Sequence, residues 1–165
     1  MLVEAPRAGL LRRLAAIVYD AMLVIALLMF AMTVALAVVA GLIKVGLLSL
    51  AGHQDIAEYI QHHALWFQLY LVLCVFWFYL YFWCKAGQTL GMRAWRLFLI
   101  QQNGAAITKR QALVRALTAL AGIGNFWLWI RWGKGLALQD QLSGTQVILL
   151  TKEQSRELNL HRTAR

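Results

Sequence analysis

The sequence predicts an α-helical integral membrane protein: two transmembrane helices, a third re-entrant or short membrane helix, and a small cytoplasmic β-hairpin or sheet. Three observations support this fold class. Of the 165 residues, 61% are hydrophobic, whereas soluble chains sit nearer half. The run from Ala21 to Ile43 carries no charge. As a helix it reaches roughly 34 Å, enough to cross a hydrocarbon core of about 30 Å. A second apolar run, Ala64 to Cys84, is also long enough for one crossing.

Length and composition fit one membrane domain over residues 1–165. The formal net charge is +9. The basic residues flank apolar runs, the placement favoured beside an anionic cytoplasmic leaflet, so the expected partner is the lipid bilayer and not nucleic acid. Both cysteines, Cys74 and Cys84, lie in one apolar stretch, which argues against a disulfide framework or a zinc site. The first apolar run is too long for a signal peptide and lacks a suitable cleavage site, so it should remain as an anchor. No cofactor is expected.

Residues 1–9, with Pro6 and Gly9, read as an unstructured lead-in. Leu10 to Ala16 form a basic amphipathic turn or two suited to the headgroup layer, and the first span covers about residues 17–43. Arg13 and Asp20 lie about two helical turns apart and share one face. A carboxylate at the membrane edge is costly and therefore a functional candidate. The alternative is a hydrated interfacial residue loosely paired with Arg13.

Lys44 to His63 reads as an extramembrane loop with a short surface helix. Such a helix aligns Asp55, Glu58 and His62, and a solvated face is the favoured reading over a cation site, so no metal is expected. The second span, about residues 64–84, is crowded with aromatics, with Trp66 and Trp83 at its ends where aromatic belts form. Gln68 is its strongly polar side chain and is suited to bonding a neighbouring helix.

The segment from Lys85 to Gln111 has five basic residues and no acid, and reads as cytoplasmic. Asn103-Gly104 between apolar runs predicts a type I′ hairpin over residues 95–108. The Gly87-to-Gly91 stretch GQTLG lacks the Lys-Ser/Thr ending of a phosphate loop. The third apolar segment, residues 112–132, has only about 15 residues between Arg115 and Arg131, near 22 Å as a helix. It either spans with both arginines snorkelling or dips in and returns, broken at Gly122 to Asn125. Charge favours the second: with two spans, all of the 16 lysines and arginines except Lys44 lie inside. Residues 146–151 read as a strand that adds to the hairpin, and the mixed-charge tail as a frayed helix.

Four blocks, in order, resemble the RDD family, small bacterial membrane proteins named for one arginine and two aspartates. AGLLRRLAAIVYD resembles the family's opening, mapping its arginine and first aspartate onto Arg13 and Asp20. GQTLGMRAWRL resembles its glycine-bounded loop, with Gly87, Thr89 and Gly91 in matching places. NGAAITKRQALVR resembles the block that ends in an arginine, here Arg115. QDQLSGTQVIL resembles the closing block, with Asp140 as the second aspartate and Gly144-Thr145 after it. The family commonly has His before that aspartate and Arg after it; here Gln139 and Gln141 stand in those places. The resemblance implies a bacterial inner-membrane, multi-pass protein, for which transport has been suggested, and supplies no substrate.

Catalytic and nucleotide-binding signatures such as HExxH are absent from the sequence, so enzymatic activity is not expected. Two function classes remain. In one, Arg13, Asp20 and Asp140 converge at the cytoplasmic membrane boundary and exchange a proton, cation or other small solute. Two spans cannot enclose a path, so this reading calls for a homo-oligomer or a membrane-protein partner. In the other, the same charges are a structural cluster in an accessory or assembly protein. The two-span topology, with a cytoplasmic amino terminus, makes a direct prediction. Cysteines placed in the 44–63 loop and in the tail should label from opposite faces of the membrane; labelling of both from outside would establish three full spans.

Overall fold

A computed structural model describes residues 5–50, 52–119, 125 and 136–163. The protein is mostly helical, with two candidate membrane-spanning helices and one small antiparallel sheet. It divides into two compact units, residues 22–78 and residues 1–21 with 79–165.

The 22–78 unit holds the apolar stretches. Helix α1, Leu10–Lys44, is one continuous helix of 35 residues, so the basic opening belongs to the same helix as the apolar run. It has no proline, and its first glycine is Gly41, so nothing interrupts the backbone bonding. A short helix α2, Ile56–His62, follows, with Asp55 as its N-cap accepting the Glu58 N–H at 2.8 Å. Helix α3, Ala64–Ala86, is 23 residues long. In the most apolar window of α1 only 11% of residues are buried, and in that of α3 none is. A core helix of a soluble protein would be mostly buried. Here Ile25, Met29, Phe30, Trp66, Val72 and Trp77 face outward, as lipid-facing side chains do. Between α1 and α3 the Tyr70 hydroxyl donates to the Ala31 carbonyl at 3.2 Å, while Gln68 is exposed.

The other unit is a small packed domain. Helix α4, Leu90–Ala94, leads into strand β1, Leu97–Gln101; among the described residues helix α5, Lys109–Thr118, helix α6, Leu138–Ser143, strand β2, Thr145–Leu149, and helix α7, Lys152–Thr163, follow. The strands pair antiparallel, Leu97 opposite Leu149 and Gln101 opposite Thr145. Alternation assigns Leu97 and Leu99 to one face with Val147, Trp83, Met92 and Ala112, and Ile100 to the other with Ile148 and Leu150. Both faces are covered, which is why the strands read as continuous apolar runs.

Four sequence expectations are corrected here. The lead-in is ordered from Ala5: Arg7 bridges Ile148, the Ala8 N–H donates to the Val147 carbonyl at 2.9 Å, and the Leu149 N–H donates to Pro6 at 2.8 Å. Pro6 serves as an acceptor on an edge where its missing N–H costs nothing. The turn at Asn103-Gly104 is tight but not type I′, because Gly104 has positive φ and Asn103 does not. Residues 105–108 do not return as a strand: the Ala105 carbonyl accepts the Gln101 N–H, the Gly87 carbonyl takes the Leu99 N–H, and Thr108 caps α5. Trp83 is buried in the core and does not face an aromatic belt.

The third apolar segment begins differently from expectation. Residues 112–118 belong to α5, which starts earlier, at Lys109, in a capping box between Thr108 and Gln111. It buries Ala112 and Arg115. The break expected at Gly122 to Asn125 lies outside the described residues except for Asn125 itself.

Docking of the amino-terminal segment on β2 predicts that the Leu149 amide is protected from hydrogen exchange. A chain starting at Gly9 should lose that protection while the Leu99 amide, bonded to the Gly87 carbonyl at 2.8 Å, keeps it. Equal protection of Leu149 in both proteins would show that the segment does not dock.

Candidate functional site

The buried face of α1 at its start carries Arg13, Ala16 and Asp20, one helical stripe. The two charged members have different partners. Arg13 donates from Nη1 to Asp140 Oδ2 at 2.7 Å and from Nε to the Ala8 carbonyl at 3.0 Å. Side chains on a helix lean towards its amino terminus, so Arg13 reaches back, away from Asp20. Residues two turns apart share a face without touching; contact belongs to positions three and four apart. The expected convergence of Arg13, Asp20 and Asp140 thus resolves into two separate sites, and Arg13, not Arg12, holds an aspartate.

The first site is centred on Asp140, which has no exposed surface. It is the third residue of α6 and accepts the Ala137 N–H at the helix start, 3.1 Å away. Its Oδ1 accepts from Arg115 Nη1 at 2.6 Å. Two guanidiniums and a backbone amide therefore share one carboxylate. Burial alone pushes the Asp140 carboxyl up, but Arg115 and Arg13, by charge and by hydrogen bond, hold it below the usual carboxylate range. Arg115 was legible in sequence only as a supporting residue; in the fold it is an equal member. It also donates to Thr145 Oγ at 2.9 Å and lies over the Trp83 ring, 5.4 Å from its centroid. Ser143 donates to the Gln139 carbonyl at 2.5 Å, so the 2.7 Å bond between Ser143 and Thr145 takes its proton from Thr145. Gly144, in the left-handed conformation with φ of 64°, ends α6 and lets β2 begin at once, which places Thr145 against Arg115.

The second site is centred on Asp20. Its Oδ2 accepts from the Thr89 hydroxyl at 2.5 Å and its Oδ1 from the Gly91 N–H at 2.8 Å. Thr89 is also the N-cap of α4, accepting the Met92 N–H. At Gly91 a methyl group would strike the Ala16 carbonyl oxygen and come within 2.8 Å of Asp20 Oδ1. Only glycine lets the α4 backbone approach α1 this closely. Gly87 closes the preceding turn, its carbonyl accepting the Leu99 N–H.

The model of the RDD family matches residues 7–144. The chain belongs to the RDD family. Neither a curated protein nor a solved structure matches it significantly. Family membership together with the two exposed apolar helices makes it a membrane protein. In this RDD chain the two glutamines beside Asp140 have visible work. Gln139 donates to Asn125 Oδ1 at 2.8 Å and Gln141 to the Leu136 carbonyl at 3.3 Å. The sequence signalled neither Trp83 nor Ser143 as part of the Asp140 site.

In the loop between the apolar helices, Asp55 and Glu58 act as capping groups, Glu58 accepting the Gln54 N–H at 2.5 Å. Among the described residues no group of three His, Cys, Asp or Glu side chains is placed to hold a metal ion.

The two-site arrangement predicts thermodynamic coupling by pair. Asp140→Ala leaves buried guanidiniums without their anion and should cost about 3–5 kcal/mol of stability in detergent. A double-mutant cycle between Arg13→Ala and Asp140→Ala should be strongly non-additive. The cycle between Arg13→Ala and Asp20→Ala should be additive to within about 0.5 kcal/mol. The reverse pattern would place Arg13 with Asp20.

Proposed function

We propose that this RDD protein takes part in transport of a proton, cation or other small solute across a bacterial inner membrane, with Asp20 as the exchanging group. One observation supports the reading most directly. Asp20 is buried, yet among the described residues it makes no ion pair; its hydrogen-bond partners there, the Thr89 hydroxyl and the Gly91 N–H, are neutral. A carboxylate out of water without a cation is costly, and a proton or a cation offsets that cost. Asp20 sits on a helix whose remaining length is apolar, at the end that charge distribution assigns to the cytoplasm. The Arg13–Asp140–Arg115 group is by contrast a satisfied carboxylate, suited to holding the domain together. The exchange path needs further helices, supplied by a second copy or a membrane-protein partner. No catalytic chemistry enters this reading.

A second reading has its own observation. Asp20 tethers the start of α4 to α1 through two hydrogen bonds, a structural task that an accessory or assembly protein would equally need. Flux in liposomes of purified protein separates the two. Asp20→Asn keeps the shape and still accepts the Gly91 N–H, so the variant should fold. Proton or cation flux above protein-free background that disappears in Asp20→Asn supports exchange at this residue. Unchanged flux in a folded variant, or none in the parent protein, leaves the tether as its role.

A further inference from the structure

We propose that the Arg13–Asp140–Arg115 group binds a small monovalent anion of the halide kind, as a second negative partner for its two guanidiniums. The inference stands apart from the exchange reading, since it concerns different side chains and is tested without flux.

Charge is the first support. Two guanidiniums and one carboxylate, all nearly excluded from solvent, leave one positive charge unmatched in the interior. Arginine does not shed its proton to escape such a site, so the charge needs a partner. The described residues have little to offer. Of the acids among the described residues other than Asp140, Asp20 is held by Thr89 and Gly91, Asp55 and Glu58 cap α2 in the other unit, and Glu153 and Glu157 are exposed; Glu4 lies outside the described residues. The stretch 120–135, of which Asn125 alone is described, contains no aspartate or glutamate.

Unused donors are the second support. Arg13 Nη2 and Arg115 Nε are buried and have no hydrogen-bond partner among the described residues. Both belong to guanidiniums whose Nη1 atoms already meet on the two oxygens of one carboxylate, so the groups are side by side. Trp83, whose ring lies against Arg115, has its indole N–H buried and without a partner among the described residues as well. Buried polar groups are ordinarily paired, and orphaned donors on a cationic cluster select an acceptor that carries negative charge. A halide accepts several N–H bonds without demanding a fixed geometry. A water would satisfy donors but leave the charge unmatched.

The experiment uses the purified full chain in detergent with 15N-labelled tryptophan. Bromide or chloride is titrated against gluconate at constant ionic strength. The expected result is a saturable shift of the Trp83 indole N–H resonance, with a matching rise in melting temperature. Trp83→Phe removes one donor and keeps a ring under Arg115; it should fold and show a several-fold weaker apparent affinity by melting temperature. An indole resonance that does not move, or an anion effect that does not saturate, would overturn the proposal and leave water as the occupant. Equal anion affinity in Trp83→Phe would remove Trp83 from the site, and together with an unmoved resonance it would place any anion elsewhere.

Discussion

The carboxylate of Asp140 joins segments that are far apart in the chain. Through Arg13 it holds the start of α1, through Arg115 it holds α5, and through the Ala137 amide it fixes the first turn of α6. Arg13 in turn bonds the Ala8 carbonyl, and Ala8 lies on β2. The small domain thus depends on one buried anion. Such a group is not a large source of net stability, because three charged side chains leave water to form it. Its effect is on geometry: parting α1 or α5 from α6 takes a buried guanidinium away from the carboxylate it shares.

Asp20 extends the same logic with the opposite outcome. It lies on the same buried stripe as Arg13, but its carboxylate meets an hydroxyl and a backbone amide. The approach of α4 that delivers that amide depends on Gly91 having no side chain. One helix face therefore presents a compensated aspartate partner at one level and an uncompensated aspartate at the next. The proposed exchange of a positive ion is assigned to the uncompensated position because a carboxylate shared by two guanidiniums resists protonation.

The small sheet serves as the frame for both sites. β1 follows directly from the α4 segment that faces Asp20, and β2 opens with Thr145, which accepts from Arg115. The pairing of Gln101 with Thr145 through Leu97 with Leu149 sets the two loops at a fixed offset. Substituting Gln139 and Gln141 for the residues common in the family leaves this frame intact, since both glutamines find partners nearby.

Membrane helices, the tight turn at Gly104 and the β2 strand were legible from residue order because each depends on a local property: run length, a glycine at a turn, a short apolar strand. The charged residues that matter were legible as residue types for a related reason, since charge beside apolar sequence is conspicuous in one dimension. Which charge meets which was not. Arg13 shares a face with Asp20, yet side-chain direction turns it back towards Ala8, and its true partner lies 127 positions away. The role of the lead-in, the burial of Trp83 and the equal standing of Arg115 likewise came only from the folded chain. Sequence spacing reports which residues are neighbours on one element; packing decides which face of another element they meet, and the cost of an unpaired charge in a dry interior selects among the pairings.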